Sequence, residues 1–308
     1  MDMTQVINQM IVLFLLLAIG YICGKVKLFS KESSQTLSRT VIYVANPALI
    51  VNTVTSGQIA GSKSYTLIII GLSSLFYIVI PILAKVFTFA IPFTRKNRKT
   101  YEALYCFSNC GFMGIPVINA LYGPEAIFYV AIFIIPFNIL IYTYGILLLS
   151  GDKEGSKGQI NLKKILNPVV IASIITLIIY FAGIKTPYVV NETMSLVSAI
   201  TTPLAMITIG LNLSFVPVKD VFLDWKMYVY TILRLLLFPI AVWFVFRFFI
   251  TDTMLLNVMV VISAMPVAAN VTLIANEYGG DSVTVAKANF ITTLLSLGSI
   301  PILAALIL

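Results

Sequence analysis

The chain alternates long apolar runs with short polar connections from one end to the other. Taking about 20 apolar residues as the length that crosses a bilayer, the pattern predicts ten spans, at 6–23, 35–54, 65–91, 102–122, 125–149, 167–184, 193–213, 227–250, 254–276 and 282–308. The longest polar connection, 150–166, carries Lys153, Lys157, Lys163 and Lys164 and divides the chain nearly in half. Two spans are interrupted. Between Tyr105 and Gly123, the middle of span 4 is weakened by Gly111, Gly114 and Pro116, because proline lacks an N–H and crowds the carbonyl one turn earlier. Asn109 and Asn119 flank that weak point, with Cys110 beside the first. In span 9, Ser263-Ala264-Met265-Pro266-Val267-Ala268-Ala269-Asn270 falls near the centre. A broken helix at membrane depth survives only where protein or a water-filled cavity satisfies the freed backbone. Polar side chains beside such breaks point to a binding site.

Composition makes the spans a membrane protein: of 308 residues, 59% are hydrophobic and 10% charged. The first run, 6–23, is too long for the short core of a cleaved signal peptide and reads as the first span. With no histidine in the sequence, a histidine proton relay, a Ser-His hydrolase and a His-ligated metal are excluded. Cys23, Cys106 and Cys110 all lie in apolar segments, so neither a disulfide framework nor a paired-cysteine metal site is indicated. No cofactor is expected.

The formal net charge is +8, and fourteen of the 20 basic residues fall on one side, thirteen in one alternating set of connections and Lys287 just inside the span that follows. The positive-inside rule makes that set cytoplasmic, including 150–166, and puts both termini outside. A nucleic-acid partner is not indicated, because the basic residues cluster beside spans and no soluble domain exists to carry them. Within spans, Arg39 and Arg234 either attract anions on the cytoplasmic side or pair with lipid phosphate, and Lys287 reads as snorkelling to the cytoplasm. Glu125 and Asp281 suit helix starts. The acidic residues Glu102, Glu125, Glu192, Glu277 and Asp281 all read as lying near span ends, which gives a buried carboxylate relay for protons or sodium little support.

The two halves resemble each other at a fixed offset. Pro47 in span 2 and Pro203 in span 7 stand 156 residues apart (47 to 203), and Tyr122-Gly123-Pro124-Glu125 stands at the same offset from Tyr278-Gly279-Gly280-Asp281 (122 to 278). A duplication follows, with one five-span unit at 1–149, a linker at 150–166 and a second unit at 167–308. An odd number of spans makes the second unit inverted. The match is imperfect at the breaks, since Pro116 and Pro266 differ by 150 (116 to 266). Each interruption creates a new helix N-terminus whose free N–H groups and positive dipole end favour an anion. Asn109, Asn119 and Asn270 can add directed hydrogen bonds, or they serve as glue between closely packed helices. Asn46-Pro47 and Thr202-Pro203, central in spans 2 and 7, either line the same cavity or merely kink their helices.

Taken together, Asn46-Pro47-Ala48-Leu49-Ile50, Asn109-Cys110-Gly111-Phe112-Met113-Gly114-Ile115-Pro116, and Met265-Pro266 with Asn270 resemble the auxin efflux carrier family, which is related to the bile acid sodium symporter fold. The resemblance covers essentially the whole chain. It implies an all-α protein of ten transmembrane helices in two inverted repeats, in which broken helices 4 and 9 cross and an organic anion binds beside the crossing. It also implies a scaffold of spans 1, 2, 6 and 7 and a transport domain of spans 3–5 and 8–10, in the cell (inner) membrane. Members of the family often form homodimers through the scaffold. The short central connection is similar to that of bacterial carriers that handle malate, malonate and related carboxylates.

Four functions fit such a chain differently. A facilitative carrier of carboxylates or auxin-like acids needs only the paired breaks. A sodium- or proton-coupled symporter needs ion ligands near the crossing. Gly279-Gly280-Asp281 superficially suggests an intramembrane aspartyl protease, which requires a second intramembrane aspartate that the spans lack. A passive channel has no need of paired breaks.

The charge distribution fixes a testable topology. A phosphatase reporter fused after Leu308 should be active outside the cell, and a fluorescent reporter there dark; the reverse outcome would place both termini inside.

Overall fold

The structure is a computed structural model that describes residues 3–57, 63–89, 95–123, 125–150, 168–215 and 224–307. Beyond Ser150, the central lysine-bearing connection lies outside the described residues. Helix α1 is Met3–Lys25, and α2 runs through Lys31–Thr40, a π turn at Val41–Ala45, and Asn46–Thr55. Helix α3 is Lys63–Phe89. Helix α4 is split into α4a, Arg95–Cys106, and α4b, a π turn at Cys110–Gly114 continued by Ile115–Tyr122. Helix α5 comprises Glu125–Leu140, a π turn at Ile141–Gly145, and Ile146–Leu149. Then come α6, Pro168–Ala182, and α7, Tyr188–Ala199 with Thr201–Ser214. Helix α8 comprises Trp225–Ile232, a π turn at Leu233–Leu237, and Phe238–Phe246. Helix α9 is split into α9a, Thr253–Ala264, and α9b, Ala269–Glu277, and α10 is Ser282–Ile307.

Among the described residues, five helical stretches are long and apolar enough to cross a membrane by length and composition: Lys63–Phe89, Glu125–Leu149, Tyr188–Ser214, Trp225–Phe246 and Ser282–Leu303. Ile11–Lys25, Cys110–Tyr122, Pro168–Ala182 and Thr253–Ala264 are shorter apolar helices. Among the described residues the structure is all-helical, as fits a multi-pass membrane protein.

Proline explains most of the local irregularity. Three of the four π turns among the described residues stand directly before an X-Pro pair, Asn46-Pro47, Ile115-Pro116 or Phe238-Pro239. A proline ring displaces the carbonyl four residues back, so the preceding turn widens by one residue instead of kinking sharply. The wider bonds are present: the Asn46 N–H reaches the Val41 carbonyl and the Phe238 N–H the Leu233 carbonyl.

Helix α1 lies along the second half of α7, while the second half of α2 packs on α6 and on the first half of α7. Helix α3 packs against α4a and α5, and α8 against α9a and α10. Small residues bring α1 and α7 into backbone contact, as in membrane helix pairs generally. A Cβ on Gly210 would sit 1.8 Å from the Leu17 carbonyl oxygen, and one on Gly20 would sit 2.0 Å from that of Ile207. Asp252 caps α9a at the Leu255 N–H, 3.0 Å away. The same carboxylate accepts hydrogen bonds from Tyr65 of α3 and Tyr129 of α5, tying three helices at one end. Asp281, read as a helix-start residue, accepts the Thr284 N–H at 3.0 Å.

Gly210→Leu should force α1 away from α7, costing about 1–3 kcal/mol or more and lowering the thermal unfolding temperature of the detergent-purified protein. Gly71→Ala is the control: its Cβ meets nothing within 4 Å, so stability should hold or rise slightly. Equal losses from both would show that the glycine contact is not what seats α1.

Candidate functional site

The two helix breaks pair with each other. Phe107–Asn109 and Met265–Ala268 are non-helical, and they meet as an antiparallel bridge between Ser108 and Val267. The Asn109 N–H donates to the Pro266 carbonyl at 2.8 Å, and the Ala268 N–H donates to the Phe107 carbonyl at 2.9 Å. Remaining groups are taken up by neighbours. On α10, Asn289 Nδ2 donates to the Val267 carbonyl at 3.1 Å, and Thr292 Oγ1 accepts the Val267 N–H at 3.2 Å. On α8, Tyr230 Oη donates to the Leu104 carbonyl at 2.9 Å. Protein therefore supplies what lipid cannot.

The break in α4 lies N-terminal to where the glycines and proline put it. Cys110, Gly111 and Gly114 belong to the π turn that restarts the helix, and Pro116 stands in the first turn of Ile115–Tyr122. A proline without an N–H is well suited to a helix start, where that N–H would have no helical partner. In α9, by contrast, Met265 and Pro266 are themselves in the break.

Both restarted helices aim their N-termini into one cavity of about 20 Å³. Cys110, Gly111 and Phe112 line it from α4b, and Ala268, Ala269 and Asn270 from α9b. Neither N-terminus has a side-chain cap, which leaves N–H groups and positive dipole ends for a bound group. Four buried asparagines complete the lining: Asn46 from α2, Asn109 at the break, Asn138 from α5 and Asn270 from α9b. Asn46 Nδ2 donates to Tyr142 Oη at 2.7 Å and to Asn270 Oδ1 at 3.2 Å. Asn109 Nδ2 is buried without a partner among the described residues. No lining side chain carries a charge. A space this small admits water and little more, so a carboxylate enters only when the walls move apart.

Of the residues singled out by sequence, Asn46, Asn109 and Asn270 come together. Asn119 does not join them; it is exposed on α4b, and its carbonyl accepts the Gly123 N–H at 2.8 Å. Pro47 is half-buried in α2 beside Asn46, while Thr202 and Pro203 are half-buried in α7 and outside the lining. The sequence pattern does not single out Asn138 or Tyr142, although an asparagine two residues after Pro136 in a largely apolar helix is a readable signal.

Three charged residues are also placed differently from the sequence reading. Arg234 is fully buried against the carbonyls before the breaks, facing neither cytoplasm nor lipid phosphate. Arg39 pairs with Glu277 at 2.6 Å. Glu102 is buried in α4a, accepting a hydrogen bond from Tyr144 and lying 3.8 Å from Lys85 Nζ. A buried carboxylate thus does exist a turn and a half before the break.

The family model described as membrane transport protein matches residues 5–304. An uncharacterized transporter of Methanothermobacter thermautotrophicus is 27% identical over 98% of this chain and 97% of its own length. Another, from Methanocaldococcus jannaschii, is 27% identical over 94% and 95%. The uncharacterized transporter YfdV of Escherichia coli is 24% identical over 94% and 96%.

Asn289→Leu strips the Val267 carbonyl of its partner, and losing one buried hydrogen bond in this way costs about 1–3 kcal/mol. The unfolding temperature should fall accordingly, whereas Asn119→Ala should leave it unchanged. An unaltered Asn289→Leu protein would mean that α10 does not hold the second break.

Proposed function

The chain belongs to the auxin efflux carrier family of membrane transport proteins, and on that premise we propose that it is a secondary transporter of small organic anions working by alternating access. One observation carries this reading: two uncapped half-helix N-termini and four buried asparagines surround a single cavity whose lining has no charged side chain. Partial positive charge with directed N–H donors suits a carboxylate and repels a cation. Malate- or malonate-like acids and auxin-like acids share that group.

In this reading the chain has ten spans in two inverted repeats. The antiparallel sense of the Ser108–Val267 bridge supports inversion, and its spacing of 159 residues (108 to 267) lies near the 156 of the sequence anchors. The breaks correspond better than their prolines do. Helices α1, α2, α6 and α7 form the scaffold, supported by their mutual packing, and α3–α5 with α8–α10 form the moving part.

Polar contacts link the two parts at both ends. On the side read as cytoplasmic, Arg39 pairs with Glu277, Asn276 Nδ2 donates to Ser34 and Ser38 at 3.3 and 3.4 Å, and Tyr43 meets Tyr278 at 3.3 Å. On the other, Lys63 Nζ donates to the Phe181 carbonyl at 2.9 Å. In this reading these contacts are the two gates, and transport requires one set to part at a time. With no coupling ion, an inside-negative potential drives anion efflux at about 2.3 kcal/mol per charge per 100 mV.

A proton-coupled variant rests on Glu102, the buried carboxylate five residues before the break (102 to 107). An imposed pH gradient separates it from the facilitative reading.

Counterflow of labelled malonate, malate and monocarboxylates in proteoliposomes tests the assignment. Flux should follow an imposed potential. Asn109→Ala and Asn270→Ala should each reduce it by about 10-fold or more while leaving folded protein, since a hydrogen bond to a charged ligand contributes about 1.5–3 kcal/mol. Wild-type flux from both variants, or flux that ignores the potential and follows a sodium or proton gradient, would overturn the reading.

A further inference from the structure

The crossing of two broken helices creates four half-helix ends, and the cavity accounts for only two of them. The other two are the C-termini of α4a and α9a, and a single side chain reaches both. Arg234, in the π turn of α8, donates through Nε to the Leu104 carbonyl at 3.1 Å and through Nη1 to the Ser263 carbonyl. Leu104 and Ser263 lie in the last turns of α4a and α9a. Tyr230, one turn earlier on α8, donates to the same Leu104 carbonyl at 2.9 Å, and the Phe238 ring lies 5.1 Å from the guanidinium carbon. Arg234 is 0% exposed, and among the described residues no carboxylate pairs with it; the ion pairs are Arg39–Glu277 and Lys85–Glu102.

A fully buried guanidinium without an acidic partner needs a negative counterpart. Each helix C-terminus carries roughly half an elementary negative charge, so two convergent ends match one cation. In other carriers built on discontinuous helices, half-helix C-termini and unwound carbonyls are where a coupling sodium is bound. Here that place is filled by the protein itself.

We propose that Arg234 is a built-in counter-cation: it holds the two half-helix C-termini together at the crossing and leaves them no use for a sodium ion. It is a positioning residue, since it acts on the breaks and does not line the cavity. Unlike a bound ion it stays through the whole cycle, so the crossing remains assembled while the substrate comes and goes. Its planar fork matters as well as its charge, because two carbonyls must be reached at once and a lysine presents only a point charge.

The test reads stability and cation binding, so its outcome is independent of whether the protein carries organic anions. Detergent-purified wild type, Arg234→Lys and Arg234→Gln are unfolded thermally in sodium, potassium or choline chloride at about 100 mM, with and without low millimolar guanidinium, because a cation bound to the native state raises the unfolding temperature. Wild type should unfold at the same temperature in all three salts and bind no radiolabelled sodium saturably. Arg234→Gln should unfold roughly 5–10 °C lower and recover part of that loss in sodium or guanidinium. Arg234→Lys should fall between them and show no preference among salts.

Sodium-specific stabilisation of the wild type would overturn the proposal. So would an Arg234→Gln protein that unfolds at the wild-type temperature, or one that is destabilised and indifferent to every cation. If Arg234→Gln yields no folded protein, the wild-type sodium arm and Arg234→Lys still decide: salt-indifferent behaviour of both supports the proposal, and a sodium response in either contradicts it.

Discussion

A helix cannot be broken inside a bilayer unless something replaces the hydrogen bonds it gives up. Here the replacement is mutual: the break in α4 and the break in α9 bond to each other through Asn109 to Pro266 and Ala268 to Phe107. Each unsatisfied backbone group in an apolar medium costs several kcal/mol, so neither break is stable without the other. Asn289 and Thr292 on α10 and Tyr230 on α8 complete the set. Those helices are thereby committed to the crossing, and the packing of α8, α9 and α10 follows from it.

Once the breaks cross, helix polarity sorts their ends. The N-termini converge with the asparagines on one cavity, and the C-termini converge on Arg234. Burying a guanidinium costs several kcal/mol. Charge-assisted hydrogen bonds of about 1.5–3 kcal/mol each, together with two helix ends, are of the size needed to offset that. The same geometry that stabilises the fold thus gives one side of the crossing the positive helix ends that the proposed carboxylate site requires. In that proposal, stability and function share the constraint.

The outline of this arrangement was legible in the sequence. Apolar runs gave most helix ends within a few residues, because a bilayer demands a fixed length of apolar chain; the polar first turns of α4a and α7 lay outside those runs, so their starts were placed seven and five residues late (95 to 102, 188 to 193). Pro266 marked its break because it lies in it. Pro116 lies seven residues past the end of its break (109 to 116), since proline at the start of a helix and proline that breaks one read alike until the backbone is seen. Arg234 was read outward because a lone arginine in an apolar run usually reaches an interface; its true partners are main-chain carbonyls, which leave no trace in side-chain patterns. Glu102 looked terminal because the apolar run begins there; α4a in fact starts seven residues earlier, at Arg95 (95 to 102), so Glu102 stands in its second half, close to the break. Asn119 sits on the wrong face of α4b, and a one-residue π insertion rotates everything after it in a way spacing cannot reveal.

A carboxylate site at the half-helix N-termini and asparagines, as proposed, makes the folded protein more stable when a carboxylate is bound. Ligand-induced thermal stabilisation of the purified protein tests this most directly, comparing mono- and dicarboxylates with their neutral amides on the wild type and on Asn109→Ala. Carboxylates should raise the unfolding temperature of the wild type in a saturable way, the amides should not, and Asn109→Ala should need higher concentrations for the same shift. Stabilisation by the amides but not the carboxylates, or carboxylate shifts identical in Asn109→Ala, would contradict the account.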